Sequence, residues 1–437
     1  MANFKVKNGL QAGRYLLSGG TETAGADGPY GVFSTTTYTG TGAAQTISNG
    51  IDLSGDGGLV WVKRRDSTSD HELYDTERGA TYSLSSNATY TSTLKSTGLT
   101  TFNSTGFTVG SRTNVNASGG DIASWTFKKE PSFFDVVTYT GDGVAGRTVS
   151  HSLGSIPGMI IVKSTSLVEP WAVYHKGLNG GTTPQNYHIR LTTGAEAADP
   201  DIWNNTAPTS SAFTTGANDK VNANNQTYVA YLFGHDTSED GLIQCGSYTG
   251  DGSDTNREIN VGFKPSWLMI KNTTSAYNWI IIDSVRGEGE DPPTANVLAA
   301  NISNAEDPAG DRLFFSDNGF TLSTSSFDYN KSGDNFIYIA IRAVVPTQTL
   351  DLSTGHTFSI TPTEALDILF TNPPASGKAI GFSVEINGDG SAITWPSSVK
   401  WPSGVAPTAT ASKEVYAFVT TDGGTSYYGK LAGSDIA

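Results

Sequence analysis

With 437 residues, 50 glycines, a charged fraction of 16% and a net charge of −15, the chain is too long for one ordinary domain, and its glycine-rich, charge-poor composition disfavours a helical bundle. The acidic balance disfavours a phosphate-tracking surface, so nucleic acid is not an expected partner, and the single cysteine, Cys245, excludes an intrachain disulfide. Glycine has no period of three, which excludes collagen. No apolar run approaches the ~18 residues of a membrane span or resembles the core of a signal peptide, so no membrane insertion is expected.

Residues 1–32 read as a leader too short to build a core. It either packs on copy one or attaches the chain to a partner, and Phe4, Lys5, Lys7 and Arg14 are the candidate attachment residues. From Phe33 onward the chain states one plan three times, over 33–129, 130–236 and 243–343. Each copy opens on YTGTG or YTGDG at Tyr38, Tyr139 and Tyr248. Each continues into an apolar run that ends in Lys63, Lys163 or Lys271, and closes on a β-rich segment at 122–127, 228–233 or 337–342. The tyrosines stand 101 and 109 residues apart and the lysines 100 and 108. Steps that agree within one residue at two landmarks mark duplicated domains.

The apolar runs, such as LVWVK at 59–63, are bounded by turn residues and are apolar at both parities, which predicts strands covered on both faces. Short strands follow one another with no intervening helical period, so the fold class is all-β: three tandem antiparallel β-sandwich repeats, jelly-roll-like, set in an elongated row by short linkers. Large side chains change identity at the same place in each run, as in Trp61, Ile161 and Met269, which is how core positions behave. Cys245 reads as a small buried apolar residue. The lysines read as ends of buried runs with the amine reaching water rather than as catalytic groups. Asp75 with Arg78, matched by Asp283 with Arg286, brackets a turn, and the middle copy lacks the pair.

Residues 344–437 drop the plan and read as a small C-terminal β-domain that caps the row or drives oligomerisation. NGDG at 387–390 and TDGG at 421–424 suggest hairpins. Trp395 and Trp401, in WPSSVKWPSG, are candidate subunit or surface contacts, their prolines keeping them out of a central strand.

No nucleophile, metal or phosphate-loop signature occurs, and the six histidines never pair at ligand spacing. Asp199 with Asp201, and Glu288, Glu290 and Asp291, are carboxylates more simply read as solvated turns. No enzyme activity and no cofactor are expected.

The combination of the YTG(D/T)G starts, the lysine-ended runs and the GFTVG-type closings, over about residues 33–343, resembles β-rich repeat domains of tailed-bacteriophage structural and tail-fibre-like proteins, especially those of marine phages. NPPASG at 372–377, ITWPSSVKWPSG at 393–404 and FVTTDGGTSYYGKLAG at 418–433 look like the terminal domain of phage virion proteins, and MANFKVKNGLQ looks like their start. The resemblance implies location in a virion, other virion proteins as partners and host attachment through a surface glycan or protein receptor. A homo-oligomer is expected, a trimer by analogy with fibres. A capsid-bound decoration or head fibre is the alternative reading, and a glycan-degrading spike a weaker one.

Overall fold

The computed structural model describes residues 31–436 except 239–240, 288–295, 308–312, 344–346, 363–365, 389, 392, 397 and 403. Two compact units divide the chain, Met1–Val344 and Val345–Ala437.

In the first unit each copy is a two-sheet antiparallel sandwich, as the strand patterning predicts. The large sheet of copy one has the order Phe33–Thr39, Asp121–Lys128, Gly58–Arg64, Glu72–Asp75. Its first and last strands are hydrogen-bonded neighbours, with Phe33 opposite Phe127. The same closure recurs as Phe134 opposite Phe233 and Ile243 opposite Ile341. The small sheet of copy one joins Gln45–Ser48, Gly106–Val109 and Leu99–Asn103. Copy three repeats this with Arg257–Asn260, Gly319–Leu322 and Leu313–Ser316, whereas copy two keeps two such strands. There the helical turn Pro200–Trp203 adds Ile202 and Trp203 to the same core. Asp199 caps that turn by accepting from the Asp201 amide at 3.0 Å, which gives one of the candidate carboxylates a local structural role.

The double parity of the lysine-ended strands now has a physical cause. Val60 and Val62 face the small sheet of their own copy, with Ile47, Phe107 and Val109. Leu59 and Trp61 face the other way, into a core that they share with Met159 and Ile161 of copy two and Trp267 and Met269 of copy three. Phe127 makes the sharing concrete: its ring centroid lies 5.5 Å from Phe134, 5.5 Å from Phe233 and 5.7 Å from Trp267. The pairs with Phe233 and Trp267 are edge-on and the pair with Phe134 is tilted; aromatic pairs of this kind add about 1 kcal/mol each beyond the area they bury. Cys245 sits in this shared core, 1% exposed, as its sequence context suggests.

The expectation of an elongated row is therefore corrected: each sandwich keeps a core between its own two sheets, and the three also share one. A row would leave the outer apolar face of every large sheet in water; instead the three faces meet and cover one another.

The second unit stacks Thr347–Asp351, Leu366–Thr371 and Ile393–Thr394 in one sheet against a five-stranded sheet. Phe370, Phe382, Phe418, Tyr416 and Tyr427 fill the space between them. TDGG does connect an antiparallel pair, Lys413–Thr420 with Tyr427–Gly433. The strands on either side of NGDG do not pair with each other among the described residues. Ile380–Asn387 pairs with Lys413–Thr420 and, in parallel, with Thr357–Ile360, and the chain after NGDG enters the other sheet beside Leu366–Thr371.

Candidate functional site

The most repeated residues are consumed by architecture. Tyr38, Tyr139 and Tyr248 each donate their hydroxyl to a carbonyl about 80 residues away, of Val115 at 2.8 Å, Val221 at 2.7 Å and Tyr329 at 2.6 Å. A Cβ at Gly40, Gly141 or Gly250 would stand 2.1–2.2 Å from the carbonyl oxygen of Ala117, Ala223 or Lys331, so only glycine lets the two backbones meet there. The residue after each carbonyl acceptor is a fully buried asparagine: Asn116, Asn222 and Asn330. Its amide oxygen accepts the backbone N–H inside the YTGxG turn, from Thr41 at 2.8 Å, Asp142 at 3.0 Å and Asp251 at 3.0 Å. These asparagines escape a sequence reading because their neighbours (VNAS, VNAN, YNKS) differ and the turn they lock is remote in sequence.

The lysines differ from expectation. Lys63, Lys163 and Lys271 are fully buried, and their amines do not reach water. Lys163 Nζ donates to the carbonyls of Ser164 at 2.6 Å and Leu167 at 3.1 Å, and Lys63 does the same to Arg64 at 2.5 Å and Ser67 at 2.9 Å. Lys271 reaches Tyr277 O at 2.6 Å and Thr193 O of copy two at 3.1 Å. Burial brings all three down to about 8. They serve as internal caps on the turn that follows the strand.

The copies are joined by a closed set of equivalent hydrogen bonds. Two residues beyond each lysine, a carbonyl accepts a backbone N–H from the preceding copy: Ser92 N to Thr165 O at 2.9 Å, Glu196 N to Thr273 O at 2.9 Å and Glu306 N to Arg65 O at 2.7 Å. Copy one thus clasps copy two, copy two clasps copy three, and copy three returns to copy one. The Asp–Arg pairs lie at these joints. Asp283 accepts from Arg286 Nε at 2.6 Å and from Trp125 Nε1 of copy one at 2.9 Å. Asp75 accepts from Arg78 Nε at 2.6 Å and from the Tyr231 hydroxyl of copy two at 2.8 Å. In copy two His175 stands in the corresponding place, its Nε2 3.0 Å from Tyr338 O of copy three.

The joints are not equally filled. Between copies three and one, Glu306 takes a bidentate bond from Arg65, at 2.5 and 2.9 Å, and a third from Arg286 Nη1 at 2.9 Å. Between copies one and two the corresponding residues are Ser92 and Thr165, and Arg78 Nη1 donates to the Ser92 hydroxyl at 3.1 Å. An open cleft of about 500 Å³ lies there, lined among others by Arg78, Tyr82, Ser92, Thr138, Thr165 and Thr227. Tyr82 is 43% exposed. The cleft is the candidate site of the first unit. Nothing in the repeats points to it from sequence, because it arises where two long side chains of another joint are replaced by short ones.

The residues singled out from sequence fare differently. Trp395 is 7% exposed and belongs to the core of the second unit, 4.7 Å from Tyr416 and 5.0 Å from Phe418 by ring centroids. Trp401 is partly buried on the same rings, so it retains some surface while Trp395 has almost none. Phe4, Lys5, Lys7 and Arg14 lie outside the described residues, as do Glu288, Glu290 and Asp291. Among the described residues no group of three or more metal-ligating side chains converges, and no helix is long and apolar enough to cross a membrane.

No curated protein matches the chain. A family model described as a domain of unknown function, DUF7483, matches residues 28–343 as one stretch. That stretch takes in all three copies and ends at the edge of the first compact unit, so the matched domain is the three-sandwich assembly rather than the single repeat. The chain belongs to the DUF7483 family.

Proposed function

We propose that the protein is a structural component of a tailed-bacteriophage virion, a tail fibre or receptor-binding appendage that contributes to host attachment. The observation that carries this reading is the division of labour in the first unit. Motifs repeated in all three copies go into turns, caps and joints, while the segments that differ between copies supply its surface loops, and a cleft opens where one joint carries short side chains in place of long ones. A rigid scaffold presenting variable loops is the build of a recognition module. The sequence likeness of the repeats and of the ending to phage virion proteins points the same way, and other virion proteins are then the partners at its point of attachment.

The test is gold-labelled antibody against this chain on intact particles viewed by electron microscopy. Label on the tail is the expected result. Label over the capsid would replace the reading with a head decoration, and particles that never label would end it.

A further inference from the structure

We propose that the cleft between copies one and two binds a neutral pyranose sugar; this rests on the attachment reading and names the ligand class of its site. The argument begins from the joint between copies three and one. There the carboxylate of Glu306 and the guanidinium of Arg65 occupy the crevice next to Arg286. In the joint between copies one and two, the residues making the same backbone clasp are Ser92 and Thr165. Two long side chains are thus replaced by two short hydroxylated ones, and the space they vacate is the cleft.

The groups left facing that space set the chemistry. Ser92, Thr138, Thr165 and Thr227 line it with hydroxyls; Thr165 and Thr227 hydrogen-bond each other at 2.5 Å and Ser92 accepts from Arg78, which leaves the three with capacity for further bonds to a ligand. Arg78 has one Nη1 hydrogen left after its bonds to Asp75, Ser92, Leu73 O and the Tyr231 hydroxyl, and its charge is met by Asp75 at 2.6 Å, so it presents no uncompensated cation to draw an anion. Tyr82, 43% exposed, supplies an aromatic ring at the wall. A ligand that matches carries several hydroxyls and an apolar ring face, which is the description of a pyranose. A flat apolar molecule would leave the hydroxyls unpaired. A phosphate or sulfate would meet an overall charge of −15 and a guanidinium already neutralised.

The test uses the full chain and saturation-transfer NMR with the methyl glycosides of glucose, galactose, mannose and N-acetylglucosamine, with glucuronate as the charged comparison. Transfer to at least one neutral sugar is expected. The variant Ser92→Glu with Thr165→Arg rebuilds the pair already present at the other joint, so it should keep the wild-type melting temperature while reducing transfer at least tenfold. Tyr82→Ala, at an exposed position, should weaken binding at least fivefold. No transfer from any neutral sugar, transfer from glucuronate alone, or undiminished binding by the double variant overturns the proposal. Failure of the attachment reading looks different. Particles that never label, with sugar binding that the double variant abolishes, would end the reading and leave the cleft's specificity standing.

Discussion

A single buried amide holds each YTGxG turn, and its removal should show how much of the fold's stability is invested there. Asn222 accepts from the Asp142 amide, and its two amide hydrogens are shared among the carbonyls of Gly216 and Val144 and the Asp142 carboxylate. Its side chain sees no solvent. Asn222→Ala leaves backbone groups that water cannot easily reach, at about 1–3 kcal/mol for each unsatisfied one, so a loss of roughly 3 kcal/mol in urea unfolding is expected. Asp142→Ala, at an exposed position of the same turn, should cost under ~1 kcal/mol. Equal losses for the two variants would show that the asparagine is not the lock. Half of this device is legible in the sequence, because glycines at a fixed offset from a tyrosine announce a tight backbone approach. The other half is hidden: an asparagine about 80 residues downstream has no local pattern to betray it, and only tertiary contact gives it meaning. The lysines mislead for a related reason. A lysine closing a strand is ordinarily at the surface; here carbonyls of the turn that follows fold back over the amine, in the same copy for Lys63 and Lys163 and with Thr193 O of copy two added for Lys271.

At the scale of the elements, two joints each rest on a buried histidine. His71 accepts from Trp61 Nε1 at 2.9 Å and faces Ala299 O of copy three at 3.1 Å through Nε2. His175 accepts the Gly177 amide at 3.0 Å and faces Tyr338 O at 3.0 Å. Each ring is neutral with the proton on Nε2, since the other nitrogen must accept. Burial, chiefly, brings both from 6.5 to about 3, with Lys63 beside His71 and Lys176 beside His175 adding to the shift. Above 6.5 the rings are neutral in folded and unfolded chains alike, and their contribution is fully present. As the pH falls below 6.5 the unfolded chain takes up protons that the folded chain refuses, so stability drops until about 3. The slope is on the order of 1 kcal/mol per pH unit for each ring. Urea midpoints should therefore fall between pH 6.5 and 5, before most carboxylates titrate. His175→Gln should be less stable at pH 7 but show a shallower fall, and a fall of unchanged slope would exonerate this ring. The spacing of the histidines speaks only to metal ligation, where no two pair; a joint needs one buried ring and a carbonyl from another copy, which no sequence spacing marks.

For the whole first unit, the choice between a row and a closed set turns on one face of each large sheet. The strand patterning announces that both faces are covered, but it cannot say by what, since a second sheet and a neighbouring copy impose the same apolar alternation. The row was the simpler arrangement for short linkers. The shared core around Phe127 and the clasps that return from copy three to copy one rule it out for this unit. One chain thereby assembles three like sandwiches around a common centre, an arrangement that fibre analogy would have drawn from three separate chains. The consequence is testable on a fragment. Residues 130–236 cut out alone would expose Met159, Ile161, Trp171, Val173, Val229, Tyr231 and Phe233, all buried among the copies. At about 2 kcal/mol for each large side chain returned to water, the loss is on the order of 10 kcal/mol. That is comparable with the entire net stability of an ordinary domain, about 5–15 kcal/mol. The single copy should therefore lack a cooperative thermal transition and bind a hydrophobic dye, while residues 31–343 should melt as one unit without it. A fragment of one copy that unfolds cooperatively, with the midpoint of the three-copy unit, would mean that the core between each sandwich's own sheets is sufficient, and that the shared face is a contact rather than a requirement.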